Sequence, residues 1–393
     1  MTTNVVIASA VRTAIGSFLG SLSEMPTIDI GVAVASEAIT RAHISPKDIG
    51  QSVFGNVIHT EPRDMYLSRV VAIEAGVPDT SPALTLNRLC GSGLQAIVSA
   101  TEQILLGNCS IALAGGIENM SRSGHLLTKV RNGQKMGDLK AIDMMIGGLT
   151  DPFGNGHMGI TAENIAKRSE IDRETQDALA LKSHQRAADA IKNGYFKDQI
   201  LSLTIKRGRK ELQFDTDEHV RMDISADDLK SLRPAFKKNG SVTAGNSSGI
   251  NDGAAAMVLM NEEVAKNKGV KPLARIIAYS LGGVAPDVMG YGPIPATQQA
   301  LEKSGLEVKD LDIIESNEAF AAQACAVSKK LGFDSDKVNP NGGAIALGHP
   351  IGASGTIILT KLAYELQRTK SKYGLATMCI GGVQGISVII ERI

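Results

Sequence analysis

Two stretches of this chain read almost alike. Ala38-Ile39-Thr40-Arg41 leads through Ile44 to Lys47-Asp48-Ile49 and a strand-like run ending at Asn56. Ala300-Leu301-Glu302-Lys303 leads through Leu306 to Lys309-Asp310-Leu311 and a run ending at Asn317. So short a match can arise by chance, but the order of elements around it agrees, and that favours a duplication. In the first half, Leu84-Thr85-Leu86 reads as a buried strand. A helix follows, with Leu94, Ile97, Val98, Thr101, Ile104 and Leu105 on one face at 3.6-residue spacing. Gly107-Asn108 stops it, and Ile111-Ala112-Leu113-Ala114 resumes a strand. In the second half, Leu311 to Ile314 reads as a strand, Ala319 to Leu331 as a helix and Gly355 to Leu366 as a longer helix. Leu375 to Met378 is a strand running into Cys379-Ile380-Gly381-Gly382. Alternating strands and helices make an α/β fold. Two such halves should pack about a pseudo-twofold axis, with a site where their strand ends meet.

The middle of the chain, roughly Met120 to Val242, is richer in charge and has few strand signals. It holds one clear amphipathic helix, Glu174 to Lys192, and reads as an inserted lid or binding loop. The expected division is an N-terminal α/β half at 1–119, completed by about 243–270, a loop domain at 120–242, and a C-terminal half at 271–393. Within the insertion, Lys129, Arg131, Lys135 and Lys140 fit either a solvated face or an attraction for a phosphorylated ligand.

Lysine plus arginine and aspartate plus glutamate both count 41, so no global field draws in nucleic acid or an anionic membrane. Cys90, Cys109, Cys325 and Cys379 lie far apart with no CxxC pair and read as free thiols of a reducing compartment. No apolar run approaches the roughly 20 residues of a membrane span. With no signal peptide or C-terminal targeting tripeptide evident, the expectation is a cytoplasmic protein.

Three glycine-rich junctions carry the chemistry. Asn87-Arg88-Leu89-Cys90-Gly91-Ser92-Gly93 places a cysteine between a strand and a helix start. Unpaired N–H groups there favour thiolate and can hold an oxyanion. Alone, such a cysteine is as readily a small buried hydrophobe. Gly342-Gly343-Ala344-Ile345-Ala346-Leu347-Gly348-His349-Pro350 presents a histidine in a turn before a helix. Cys379-Ile380-Gly381-Gly382 ends a strand in a second cysteine. Coincidence explains poorly why all three sit at such junctions.

With Asn317-Glu318-Ala319-Phe320-Ala321 and Gly245-Asn246-Ser247-Ser248-Gly249, these segments resemble the thiolase family, from Val11-Arg12-Thr13 to Gly382. The resemblance implies duplicated βαβαβαββ halves in a five-layered αβαβα core. It implies Cys90 as the nucleophile that takes an acyl group from acyl-CoA or 3-ketoacyl-CoA, and His349 as the base that activates it. Asn317 would position a water in the oxyanion hole that His349 shares, and Cys379 would move the α-carbon proton. The N–H groups of Cys90 and Gly381 would form a second oxyanion hole. An α-proton of a thioester is weakly acidic, so the enolate must be stabilised where it forms. A covalent thioester splits the Claisen condensation into two easier transfers. Neither step calls for a metal or a cofactor other than the substrate coenzyme A. By the same resemblance, Ser248, Ala244, His157 and Met158 line the pantetheine tunnel, Ala319 and Phe320 lie near its end, and Arg221 lies against the adenine. Gly156-His157-Met158-Gly159 resembles short-chain members, which implies acetoacetyl-CoA as substrate ahead of a broad degradative range. A homotetramer built from dimers, with part of Met120 to Lys140 at the tetramer contact, is also implied.

The chain departs from the family pattern Cys-x-Gly-Gly-Gly-x-Gly at Val383, in the place of the third glycine, and has Asn119 where serine is commoner. A β-branched residue is unfavourable at positive φ, so a working loop should hold Val383 at negative φ. Two rival readings share the fold. A carrier-protein ketoacyl synthase pairs its cysteine with two histidines, whereas Asn317 and Cys379 stand in those roles here. A non-catalytic lipid carrier would lack a catalytic residue, and all are present.

Overall fold

The computed structural model describes residues 4–393. Its centre is one twisted mixed sheet running through both halves. The order is Ile313–Ser316, Tyr373–Ile380, Gln384–Arg392, Ala274–Gly283, Val5–Thr13, Asn251–Asn261, Ile111–Asn119, Gln51–Gly55 and Ala83–Leu86. The halves join where Val5 to Ile7 pairs antiparallel with Ala274 to Ile276.

Both faces of the sheet are covered, so its strands are apolar almost throughout and alternate residues serve different cores. Val5, Ile7, Ala112 and Ala114 face a central core filled by Leu94 and Ile97 from the Ser92–Leu105 helix and by Leu359 and Leu362 from Ser354–Thr369. Val6, Ala8, Ile111 and Leu113 face Val34, Leu67 and Val71 of the outer helices Thr27–Arg41 and Leu67–Glu74. On the other side, Ile314, Leu375 and Ile389 pack on Ala300 and Val327 from the helices Pro293–Ser304 and Ala321–Leu331. The layers therefore run helix, sheet, paired central helices, sheet, helix, as the family resemblance implies.

Several local expectations need correction. Ala83–Leu86 is an edge strand, and Leu84 is 46% exposed instead of buried. The second-half helix begins at Ala321, since Phe320 is extended (φ −145°, ψ 141°). The insertion holds a second long helix, Met158–Ser169, that its composition hides. Eight of its twelve residues are buried, including Glu163, and its polar stripe narrows to Asn164, Lys167 and Arg168. Glu163 accepts from Ser241 N–H at 2.9 Å and Val242 N–H at 2.9 Å, tying the helix to the end of the insertion. The Arg173–Lys192 helix is capped by Asp172, whose carboxylate accepts from Thr175 N–H at 2.8 Å.

The insertion is bolted to the sheet by a buried ion pair. Asp217 receives Arg12 Nη1 at 2.7 Å and Nη2 at 2.9 Å, and also accepts from Ile15 N–H at 2.9 Å. Both side chains have no exposed surface. Asn119 is equally well used: its amide donates to the carbonyls of Leu22 at 3.0 Å and Met25 at 2.9 Å.

Candidate active site

The two central helices touch at their N-terminal turns, and glycines let them do so. A Cβ on Gly93 would lie 2.8 Å from Thr356 N, and one on Gly355 would lie 2.2 Å from Leu94 N. Cys90 precedes the first helix and His349 the second, so backbone contact brings the two junctions together.

The Cys90 turn is held by its own residues. Asn87 Oδ1 accepts from Leu89 N–H at 2.9 Å, and Ser92 Oγ accepts from Arg88 N–H at 2.8 Å while donating to Leu89 O at 2.7 Å. These bonds keep Leu89 at φ 46°, a left-handed conformation unusual for leucine. Cys90 is buried, and burial raises its pKa despite the N–H groups of Gly381 and Cys90 itself, which face the sulfur and pull the other way. The N–H groups thus act in the direction the sequence suggests, and burial opposes them. In this dry site burial wins, and the resting group is a thiol that needs a base.

His349 opens the facing turn, ahead of the Ser354–Thr369 helix. Asn251 Oδ1 accepts its backbone N–H at 2.8 Å. Its Nδ1 lies 2.6 Å from Ser354 Oγ, which donates its own proton to Pro350 O at 2.9 Å. Ser354 must therefore accept at His349, which places a proton on Nδ1 and leaves the Nε2 lone pair free. Nε2 is buried and has no hydrogen-bond partner among the described residues. Burial lowers the His349 pKa to about 4, so the ring is neutral at physiological pH.

Asn317 follows the Ile313–Ser316 strand and is fixed by its N–H to Thr377 O at 2.9 Å. Both polar atoms of its buried amide also lack a partner among the described residues. Asn317, Gly348 and Ser354 line one small cavity, which brings the asparagine beside the histidine turn. Cys379 has no exposed surface, and its pKa is raised by burial first and by the nearby Cys90 second.

Around Cys379, Met158, Met289 and Ala319 form a buried cluster, with Phe320 and Val383 packed against it. His157 stacks on Phe236 at 4.6 Å, and Phe236 meets Phe320 edge-on at 6.0 Å. Ser248 N–H donates to Ala319 O at 3.0 Å. His157, Met158, Ser248, Ala319 and Phe320 thus form one continuous wall. Ala244 and Arg221 lie exposed farther out. Arg221 is held by its N–H to His184 Nδ1 at 3.1 Å, two residues beyond His219, which lies against Gly249. Lys129, Arg131, Lys135 and Lys140 are all exposed. On the other side of Met158 and Gly381 a cavity of about 470 Å³ opens, bordered by Val57, Ile58, Leu89 and Met144.

Sequence reasoning missed four residues here. Ser354 could have been found from its place in the turn after His349. Met289 and Phe236 sit in segments that carry no motif. Glu118 accepts from the N–H groups of Ile58 at 3.0 Å and Gly352 at 2.8 Å, joining the halves beneath the site. Its pKa is raised to about 8 by burial.

The Val383 expectation fails. Ile380 pairs with Gln384 and Cys379 with Gly385, leaving a three-residue loop from 381 to 383 between the strands. Gly382 has φ 80° and Val383 φ 67°. Hairpin loops of this length end in a left-handed residue, usually glycine. Here the ladder overrides the preference of valine.

Comparison with known proteins identifies the family. Residues 5–263 match the model of the thiolase N-terminal domain, and residues 270–392 that of the thiolase C-terminal domain. The chain is 58% identical to the beta-ketothiolase BktB of Cupriavidus necator across 100% of both chains. It superposes on a Bacillus anthracis acetyl-CoA acetyltransferase with TM-score 0.97 and 46% identity, covering 100% of this chain and 99% of that one. The human mitochondrial 3-ketoacyl-CoA thiolase matches with TM-score 0.97 and 42% identity, over 100% and 99% of the two chains. Two matched domains, a full-length relative and a cysteine–histidine–cysteine site at the seam of duplicated halves place this chain in the thiolase family.

Proposed function

We propose that this acyltransferase joins acetyl-CoA to an acyl-CoA, and reverses that reaction, through a thioester on Cys90. The observation that carries the proposal is the meeting of two buried thiols, the Gly381 N–H and a neutral histidine with an unpartnered Nε2. Cys90 attacks the acyl carbonyl and its proton passes to His349 Nε2, while the N–H groups of Cys90 and Gly381 hold the developing oxyanion. The departing CoA thiolate takes the proton of Cys379. The Cys379 thiolate then removes an α-proton from acetyl-CoA, and the resulting carbanion attacks the Cys90 thioester. The protonated His349 and the Asn317 amide stabilise the enolate oxygen. Finally the released Cys90 thiolate recovers its proton from His349. All charges balance within these side chains and CoA, so the cycle calls for no further cofactor.

Acetoacetyl-CoA is the 3-ketoacyl-CoA this reading favours, with the pantetheine arm along His157, Met158, Ser248, Ala319 and Phe320 and the adenine near Arg221. A second reading, a broad-range degradative thiolase, draws on the cavity of about 470 Å³ beside Met158, which has room for a longer acyl tail. A cytoplasmic homotetramer fits the exposed edge strand Ala83–Leu86 and the exposed arm around Lys129 to Lys140. No helix among the described residues is long and apolar enough to cross a membrane. Acid quenching after mixing with radiolabelled acetyl-CoA should leave label on the Cys90 peptide. Label that persists unchanged in Cys90→Ala would refute the mechanism. Comparing kcat/KM across 3-ketoacyl-CoA lengths separates the two readings: the first expects a peak at about four or five carbons and a fall by ten.

A further inference from the structure

Val383 holds a left-handed backbone (φ 67°) in a loop where glycine would sit without strain. An outlier of this kind persists only where the surrounding structure enforces it, and such residues gather at functional sites. Its backbone is pinned on both sides, by the Ile380–Gln384 pairing and by Val284 N–H donating to Val383 O at 3.0 Å. Its half-buried side chain packs on the cluster of Met158, Met289, Ala319 and Cys379. The isopropyl group therefore belongs to the apolar packing of the cluster that contains Cys379, whose sulfur, in the mechanism above, works on the α-carbon. The loop is closely packed two residues earlier as well: a Cβ on Gly381 would lie 2.5 Å from Met158 Cε.

We propose that Val383 is a specificity-determining residue that selects against a substituent on C2 of the 3-ketoacyl-CoA, the carbon from which Cys379 takes or to which it returns a proton. The inference rests on that role of Cys379. A hydrogen at C2 clears the valine, whereas a methyl branch competes with its γ-methyl groups for the same space. Discrimination by one methyl group in an apolar pocket spans about 10–200-fold.

The test is CoA-dependent thiolysis of acetoacetyl-CoA and of 2-methylacetoacetyl-CoA by the wild type, Val383→Ala and Val383→Gly. The quantity read is the ratio of the two kcat/KM values. The wild type should favour the unbranched substrate, and Val383→Ala should reduce that preference by about tenfold or more. Alanine keeps a Cβ at positive φ and removes only the γ-methyl groups, so it separates side-chain bulk from loop geometry. A ratio unmoved by Val383→Ala overturns the proposal, whether or not glycine moves it. Acetylation of Cys90 by labelled acetyl-CoA in each variant shows that the site has folded. A wild type that thiolyses neither substrate would overturn the assigned reaction itself, an outcome distinct from an unmoved ratio in an active enzyme.

Discussion

Ser354 lies 2.6 Å from Nδ1 of His349 and gives its own proton to Pro350, so the serine dictates which ring nitrogen is free. Replacing Ser354 by alanine leaves Nδ1 buried without a partner and lets the ring take the wrong tautomer or rotate. Cys90 acylation, measured in a single turnover, should slow roughly ten- to hundredfold, short of the 10²–10⁴-fold that loss of a general base costs. Ser354→Thr, which keeps the hydroxyl, should restore most of the rate. Equal loss in both variants would indicate a packing role instead.

The acid limb of acylation should lie far below that of an ordinary histidine. Burial lowers the His349 pKa to about 4, and only the neutral ring can accept the Cys90 proton. As pH falls from 8 to 5 the base stays competent, and the rate should drop only as pH approaches 4. Rapid-quench acylation across that range checks this, and a limb centred near pH 6.5 would contradict it.

Cys379→Ala should divide the reaction. Condensation and thiolysis should fall by about 10²–10⁴-fold, as for a lost general acid/base, while Cys90 still becomes acetylated. Wild-type condensation in this variant would remove Cys379 from the mechanism.

Asp217→Asn should destabilise the whole chain. It leaves Arg12 charged and fully buried without its counter-ion, a change that costs about 3–5 kcal/mol. Denaturant unfolding should show a lower midpoint, whereas an unchanged midpoint would mean that the pair contributes no net stability.

Much of the site was legible because its chemistry is written locally. Cys90, His349 and Cys379 each sit in a run of glycines, and such runs are rare enough to stand out. What escaped depends on partners distant in sequence. Asn251–Asn261 falls in the 243–270 segment expected to complete the N-terminal half, but its place between Val5–Thr13 and Ile111–Asn119 is set only in the folded sheet. Met158–Ser169 is hard to read because Thr161, Glu163 and Ser169 are polar yet buried, which blurs the narrow stripe of Asn164, Lys167 and Arg168. For Cys90 the sequence discloses the helix terminus that favours thiolate but not the burial that opposes it. Val383 was misplaced because local preference was weighed without the strand ladder that overrules it.

The glycine contact between the two central helices also bears on how such an enzyme can diversify. Side chains at Gly93 and Gly355 would force the halves apart, and with them Cys90 from His349. That spacing is common to acylation and carbon–carbon bond formation, so a change there would damage both steps together. Variation that alters substrate range while preserving turnover is therefore channelled elsewhere, into the 120–242 insertion and the side chain at 383, which can change without moving the seam.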